Sequence, residues 1–172
     1  MATTRVDVIS DTHGRLSPEL LDQLSGADVI VHAGDICSRS DYETLRGIAE
    51  CHLCLGNNDW GYDYDPSVKK VIHFYVEGLL FCVSHYREKV EGERFDVGVC
   101  GHTHSPFVKE MPEGGFLMNP GSTTFPRTAM GPTMGRVTIE DGGVADVEIV
   151  RLFPEDGTAA ARDDEGRRHW WG

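Results

Sequence analysis

A chain of 172 residues, 40% of them hydrophobic and 26% charged, has the composition of one globular domain and not of a disordered, collagenous or disulfide-dense protein. Its 28 acidic residues against 16 basic ones give a formal net charge of -12, which excludes a general basic surface for nucleic acid or anionic membrane. The only lysines are Lys69, Lys70, Lys89 and Lys109, so a phosphorylated ligand would need a local positive centre.

The opening Met1-Ala2-Thr3-Thr4-Arg5 has no apolar signal core, and no segment reads as a membrane span. Val6 to Ile9 and Val29 to Val31 are short, β-branched runs that each end in a polar turn containing glycine, the pattern of buried strands. Between them, Ser17-Pro18 followed by Leu20, Leu21 and Leu24 supplies an N-cap, a proline at the first helical position and an apolar face. A second helix is expected over Ser38 to Glu50, capped by Ser40 or Asp41, with Tyr42, Leu45, Ile48 and Ala49 on one side. Cys51 to Leu55 reads as a third strand running into Gly56-Asn57-Asn58-Asp59. The first third is therefore βαβαβ with a parallel sheet.

From Val71 the pattern becomes short strands joined by turns: Val71 to Val76, Leu79 to Ser84, Val97 to Cys100, Phe107 to Lys109, Phe116 to Met118, Arg136 to Ile139 and Val144 to Val150. Glu77-Gly78 and Asp141-Gly142-Gly143 have hairpin-turn chemistry. The sum is an α/β domain of two packed sheets with helices outside and loops gathered at one rim, covering residues 1–153. The remainder, 154–172, is rich in charge, glycine and alanine and reads as a polar tail, weakly ordered or docked through Trp170 and Trp171.

The chemistry sits just after the strands. Asp11-Thr12-His13-Gly14 follows the first; on its own such a triplet is usually a capping carboxylate beside an exposed histidine. Gly34-Asp35 follows the second strand and Gly56-Asn57-Asn58-Asp59 the third, at the carboxyl-end rim where parallel sheets build their sites. His85 closes the run from Leu79, and Gly101-His102-Thr103-His104 closes the run from Val97. Mixed imidazole and carboxylate donors suit manganese, iron, zinc, cobalt or nickel better than calcium.

This ordered set, Asp11-x-His13, Gly34-Asp35, Gly56-Asn57-x-Asp59, His85 and Gly101-His102-x-His104, resembles the calcineurin-like metallophosphoesterase superfamily. With Asn119-Pro120-Gly121-Ser122 and Pro126-Arg127 it is similar to the small single-domain phosphodiesterases of the bacterial and archaeal branch, over roughly residues 5 to 150. The resemblance implies a four-layer α/β/β/α sandwich of two mixed sheets. It also implies two divalent ions, manganese favoured. Asp11, His13, Asp35 and His104 would hold one and Asp35, Asn57, His85 and His102 the other, with Asp35 bridging. Two such ions, about 3.5 to 4 Å apart, can share a water, lower its pKa and clamp a phosphoryl group, so the nucleophile would be a metal-bridging hydroxide. The reaction implied is hydrolysis of a small phosphorylated substrate, a phosphodiester favoured.

Two positions depart from the family pattern. Asn58 stands where many relatives have a histidine that protonates the leaving group, and an amide cannot be that acid. That points towards esters with good leaving groups, or towards His102 or Asp59 assisting through water. Tyr86 stands where glycine is usual and reads as a residue shaping the cleft. Asn57 and Arg127 are the candidates to meet the substrate phosphate, and the Asn119 to Ser122 turn should brace the metal loops.

Other features carry less. Cys51-His52-Leu53-Cys54 has redox spacing but lies in a strand, where nothing lowers a thiol pKa. His32, His52, His73 and His169 lack the ordered partners of the four assigned histidines; His32 is expected to pack or hydrogen-bond behind the Gly34-Asp35 turn. The five cysteines, odd in number and scattered through apolar surroundings, suit reduced thiols and a cytoplasmic location. Self-association is left open. The competing reading is a binding scaffold that keeps the fold without turnover, as the retromer subunit resembling this family is thought to do; all seven ligand positions being filled argues against it.

Overall fold

The computed structural model describes residues 2–153. The tail expected to carry Trp170 and Trp171 lies outside the described residues. Among the described residues, ten strands and three helices follow one another as β1 (Thr3–Ile9), α1 (Pro18–Leu24), β2 (Val29–His32), α2 (Arg39–Ile48), β3 (Glu50–Leu53), β4 (Val71–Val76), β5 (Leu79–Ser84), α3 (Arg87–Glu91), β6 (Val97–Val99), β7 (Phe107–Glu110), β8 (Phe116–Asn119), β9 (Thr133–Glu140) and β10 (Gly143–Arg151). Among the described residues no helix is long and apolar enough to cross a membrane.

The strands form two five-stranded mixed sheets, ordered β10-β9-β1-β2-β3 and β4-β5-β6-β8-β7. In the first, β1, β2 and β3 are parallel and β9 and β10 run against them. In the second, β5, β6 and β8 are parallel, with β4 and β7 antiparallel at the edges. Successive strand side chains point to opposite faces, which divides the apolar residues among three layers. Val6 and Val8, Val29 and Val31, Phe81 and Val83, Val97 and Val99 meet between the sheets. Ile9, Ile30 and Leu53 face the other way and pack with Leu20 and Leu24 of α1 and Tyr42 and Leu45 of α2. On the outer face of the second sheet, Cys82 and Leu117 pack with Val90 of α3. The result is the four-layer α/β/β/α sandwich.

Local chemistry sets the boundaries. Ser17 caps α1 by accepting the Leu20 amide, with Pro18 at the first turn as expected. α2 is capped by Ser38, not by Ser40 or Asp41: the Ser38 backbone is extended, and its Oγ accepts the Asp41 amide at 3.1 Å. Both hairpin turns place two residues at positive φ, Glu77-Gly78 and Asp141-Gly142, a geometry whose twist matches that of the flanking strands. The third strand is shorter than expected, pairing only to Leu53, with one bridge from Cys54 to Lys69. β9 starts at Thr133, ahead of the expected Arg136, because Pro132 and Gly131 end the preceding loop. The five-residue α3 has no side-chain cap and was invisible to periodicity; Val90 buries its one apolar contact.

Candidate metal centre

The loops after β1, β2 and β3, after β5 and after β6 meet at one rim, where they are knitted by backbone hydrogen bonds. Asp11 N donates to Gly34 O at 3.0 Å, His13 N to Asp35 O at 2.9 Å and Gly14 N to Ile36 O at 2.8 Å, extending the parallel pairing past the strand ends. Gly101 N donates to His85 O at 3.1 Å and ties the last two loops together. Gly34, at φ 101°, lets this happen: a Cβ there would lie 2.8 Å from the Gly56 amide nitrogen and 2.8 Å from His85 Nδ1.

Among the described residues, eight that are not glycine have positive φ, and five of these are Asp11, His13, Asp35, His102 and His104. Such backbone costs about 1 to 3 kcal/mol per residue and persists where the surroundings over-determine it, commonly at functional sites. Here it turns the five side chains out of the strand direction towards a common point.

The donor atoms converge there. His104 Nε2 is 3.1 Å and His13 Nε2 3.8 Å from Asp11 Oδ1, while His13 Nε2 is 3.7 Å from Asp35 Oδ2. His85 Nε2 is 3.4 Å from Asp35 Oδ2 and 3.7 Å from Asp11 Oδ1. Asn57 Oδ1 stands 3.0 Å from His85 Nε2 and 3.1 Å from His102 Nδ1. Ligand atoms about 2.1 Å from a shared ion lie roughly 3.0 to 3.4 Å apart in octahedral or tetrahedral arrangements. Four of the seven observed separations, at 3.0 to 3.4 Å, fall in that range, and the three at 3.7 and 3.8 Å are wider. Two groups, Asp11-His13-His104 and Asp11-Asp35-His85, each offer atoms all within 4.8 Å of one another and could hold an ion. Asp11 Oδ1 and His13 Nε2 are buried without a hydrogen-bond partner, and buried polar atoms are left so only at a cost that a bound cation removes.

Four of the donors, Asp11, Asp35, His85 and His104, are aimed by a second contact. Asp11 Oδ2 accepts the Ser10 hydroxyl at 2.5 Å and the His102 amide at 3.1 Å, which leaves Oδ1 for the centre. His85 Nδ1 bonds Ala33 O at 2.7 Å and His104 Nδ1 bonds Phe125 O at 2.6 Å; carbonyls only accept, so Nδ1 carries the proton and Nε2 presents its lone pair. Burial works to raise the Asp35 pKa, but the His85 imidazole beside it and hydrogen bonds from the backbone and side chain of Asn58 hold its carboxyl well below the usual range. Burial pulls His85 down, and Asp35, Asp11 and the Ala33 carbonyl outweigh it and raise its pKa.

Other residues singled out in the sequence lie around this cluster. Ser122 Oγ donates to Asp11 O at 2.8 Å, as the bracing role of that turn required. The Asn119 side chain does more than its turn suggested: Nδ2 holds Gly101 O and Thr103 Oγ1, and Oδ1 accepts the Gly121 amide. His32 is buried behind the turn, accepting the Gly34 amide at Nδ1 and donating from Nε2 to Thr12 Oγ1; burial and the neighbouring His85 push its pKa down to about 3. His52 and His73 lie elsewhere, beside Glu50 and Glu93. Burial raises the Cys51 pKa to about 12 and that of Cys54 well above its ordinary value, so neither thiol is poised for redox chemistry.

Asp59 has a different employment from the acid role expected of it. Oδ2 accepts the Asp35 and Gly56 amides, both at 2.7 Å, and Oδ1 accepts the Cys37 amide at 2.9 Å and the Tyr64 hydroxyl at 3.0 Å. It is buried, and all four bonds treat it as a carboxylate. Asn58, in place of the usual acid, spends its amide on Asp35. Tyr86 packs its ring on His102, with centroids 5.0 Å apart. Arg127 is exposed, its amide directed at His104 O and its guanidinium without an ion pair among the described residues. The roles of Phe125 and of the Asn119 side chain rest on contacts 16 to 21 residues away along the chain, while Ser10 and Tyr64, one and five residues from their carboxylate partners, belong to no motif that marks them.

The comparisons with known proteins agree with this geometry. The family model for the calcineurin-like phosphoesterase superfamily domain matches residues 5–142. A probable metallophosphoesterase of Methanothermobacter thermautotrophicus is 31% identical over 160 residues, which cover 85% of this chain and 91% of that protein. Among solved structures, Vps29 of Entamoeba histolytica complexed with zinc superposes with a TM-score of 0.70 at 21% identity, covering 91% of this chain and 96% of that one. An archaeal phosphodiesterase superposes with a TM-score of 0.64 at 20% identity, covering 86% of this chain and all of that one.

Proposed function

The chain belongs to the calcineurin-like phosphoesterase superfamily, and on that premise we propose that it is a dimetal-dependent phosphodiesterase. The observation that carries this reading is the convergence of Asp11, His13, Asp35, His85 and His104 on one rim, with Asn57 and His102 beside His85, and with Asp11 Oδ1 and His13 Nε2 buried without a hydrogen-bond partner. Asp11, His13, Asp35 and His104 would hold one divalent ion; Asp35, Asn57, His85 and His102 would hold the other, with Asp35 contributing to both. Manganese is the favoured metal, with iron, zinc, cobalt and nickel the alternatives the donor set admits. When bound, the pair supplies Lewis acidity to the phosphoryl oxygens and activates a water.

The chain's own residues do the rest. In hydrolysis a water oxygen bonds to phosphorus, the bond from phosphorus to the departing oxygen breaks, and that oxygen takes up a proton. His102 supplies the proton: its Nδ1 faces Asn57, so Nε2 is the ring atom left to act. Asp59 holds the Asp35, Gly56 and Cys37 backbone in place, and Asn58 orients the Asp35 carboxylate. Asn57 meets the phosphoryl group beside its metal, and the exposed Arg127 offers a second, bidentate contact. The free cysteines support action in the cytoplasm, and the small phosphorylated substrate finds the positive centre that an acidic chain otherwise lacks at the metal site.

The likeness to Vps29 favours one competitor, a metal-binding scaffold without turnover. Protein loaded with manganese and given bis(4-nitrophenyl) phosphate separates the two. Steady release of 4-nitrophenol, lost by about 100-fold or more in Asp35→Asn and in His85→Ala with the fold retained, is the expected result. Metal-replete protein that hydrolyses neither that diester nor 4-nitrophenyl phosphate overturns the proposal in favour of the scaffold.

A further inference from the structure

A cavity of about 410 Å³ opens beside the metal centre on the Asn57 side, within the size range of small-molecule sites. Two of its lining residues, Asn57 and Tyr86, also touch the centre: Asn57 Oδ1 lies between His85 and His102, and Tyr86 packs on His102. Its apolar wall is Leu55 and Val71. Trp60 stands at its edge with 83% of its surface exposed, a large aromatic face left in water beside a cavity.

The charge at this cavity runs against the rest of the molecule. Lys70 and Lys89 both line it, two of the chain's four lysines on a protein of net charge -12, and neither makes an ion pair among the described residues. Asp59, the one acid among the lining residues, spends both of its oxygens on the Asp35, Gly56 and Cys37 amides and the Tyr64 hydroxyl and makes no ion pair with either lysine. Aromatic faces take flat π-systems whatever their hydrogen-bonding pattern, and ammonium groups take phosphate as point charges.

We propose that this cavity is a substrate subsite for a nucleotide-like group, a flat aromatic base stacked on Trp60 with a second phosphate, besides the one at the metals, held by Lys70 and Lys89. The substrate class is then a phosphodiester of a base-bearing alcohol that carries a further phosphate. This rests on the phosphodiesterase reading for its reaction, while the binding it describes is a property of the cavity itself.

The probes are adenosine 3′,5′-bisphosphate and adenosine 5′-monophosphate, which differ by one phosphate. Their affinities are measured by calorimetry on the full chain with and without manganese, alongside bis(4-nitrophenyl) phosphate turnover. The bisphosphate is expected to bind roughly tenfold tighter or more, the size of one charge-assisted contact. That preference disappears in the Lys70→Ala, Lys89→Ala double variant. Trp60→Ala weakens both ligands by about tenfold and Trp60→Phe restores most of the loss, as base stacking on an aromatic face requires. All three side chains are exposed, so the variants fold, and an unchanged melting temperature verifies it. Equal affinity for the two probes, or a preference indifferent to the lysine and tryptophan substitutions, overturns the subsite even if the diester is hydrolysed. A lysine-dependent preference in protein that hydrolyses no diester keeps the subsite and overturns the phosphodiesterase reading instead.

Discussion

Asp59→Asn separates a positioning role from an acid role at a residue where the two make opposite predictions. The carboxylate accepts four hydrogen bonds, two at each oxygen, from the Asp35, Gly56 and Cys37 amides and the Tyr64 hydroxyl. An asparagine keeps the shape but replaces one acceptor oxygen with an NH2 group facing two donors. If Nδ2 takes the Oδ1 position, the Tyr64 hydroxyl can rotate and accept, but the Cys37 amide is left facing another donor; the other orientation strands the Asp35 and Gly56 amides. Hydrogen bonds to a charged group contribute about 1.5 to 3 kcal/mol each and stranding a buried donor costs ~1 to 3 kcal/mol, so the net loss should be about 2 to 4 kcal/mol. For a domain of this size that corresponds to a fall in melting temperature of roughly 4 to 16 °C. Urea unfolding of metal-free protein at neutral pH gives the free energy directly, and metal titration shows a weaker centre because the Asp35 loop is no longer pinned. A variant of unchanged stability and metal affinity that loses only turnover would refute the bracing role and return Asp59 to acid catalysis.

Three further outcomes follow from the same geometry. Gly56→Ala brings a Cβ against the Asp35 carboxylate and amide, so turnover should fall by about 100-fold, the scale of an ångström's misplacement at a reacting centre, and a variant of full activity would contradict the contact. Manganese at 100 times its dissociation constant should stabilise the protein by about 2.7 kcal/mol, a rise of roughly 5 to 11 °C by calorimetry, and Asp11→Ala should remove most of that rise. His32 stays neutral in the fold down to about pH 3, whereas in the unfolded chain it takes a proton near its ordinary 6.5; its contribution is therefore present above 6.5 and lost as pH falls from 6.5 to about 3, by up to ~1.4 kcal/mol per pH unit. His32→Gln should flatten that slope in urea unfolding across pH 6.5 to 4, and equal slopes would rule the histidine out.

Much of the fold was legible because its signals are local. The β-branched runs of β1 and β2, Ser17-Pro18 before α1, and the Glu77-Gly78 and Asp141-Gly142 turns each act within a few residues. What local pattern missed had competing or absent signals. Ser38 won the α2 cap from Ser40 and Asp41 because its backbone is extended where the helix begins. α3 is too short for periodicity to register and stands on one buried valine and the packing of the sheet beneath it.

By itself the sequence determined which residue types stand at the strand ends, and hence a mixed imidazole and carboxylate donor set with an amide where an acid is usual. Only the tertiary structure decided which nitrogen His85 and His104 turn inward, that Asp59 accepts the Asp35, Gly56 and Cys37 amides, and that Lys70, Lys89 and Trp60 share a cavity with Asn57. The physical reason is range. Caps, turns and side-chain alternation are set by neighbours along the chain. Ring orientation and cavity lining are set by contacts such as His85 with Ala33 and His102 with Asp11, 52 and 91 residues apart, which exist only once both sheets have packed.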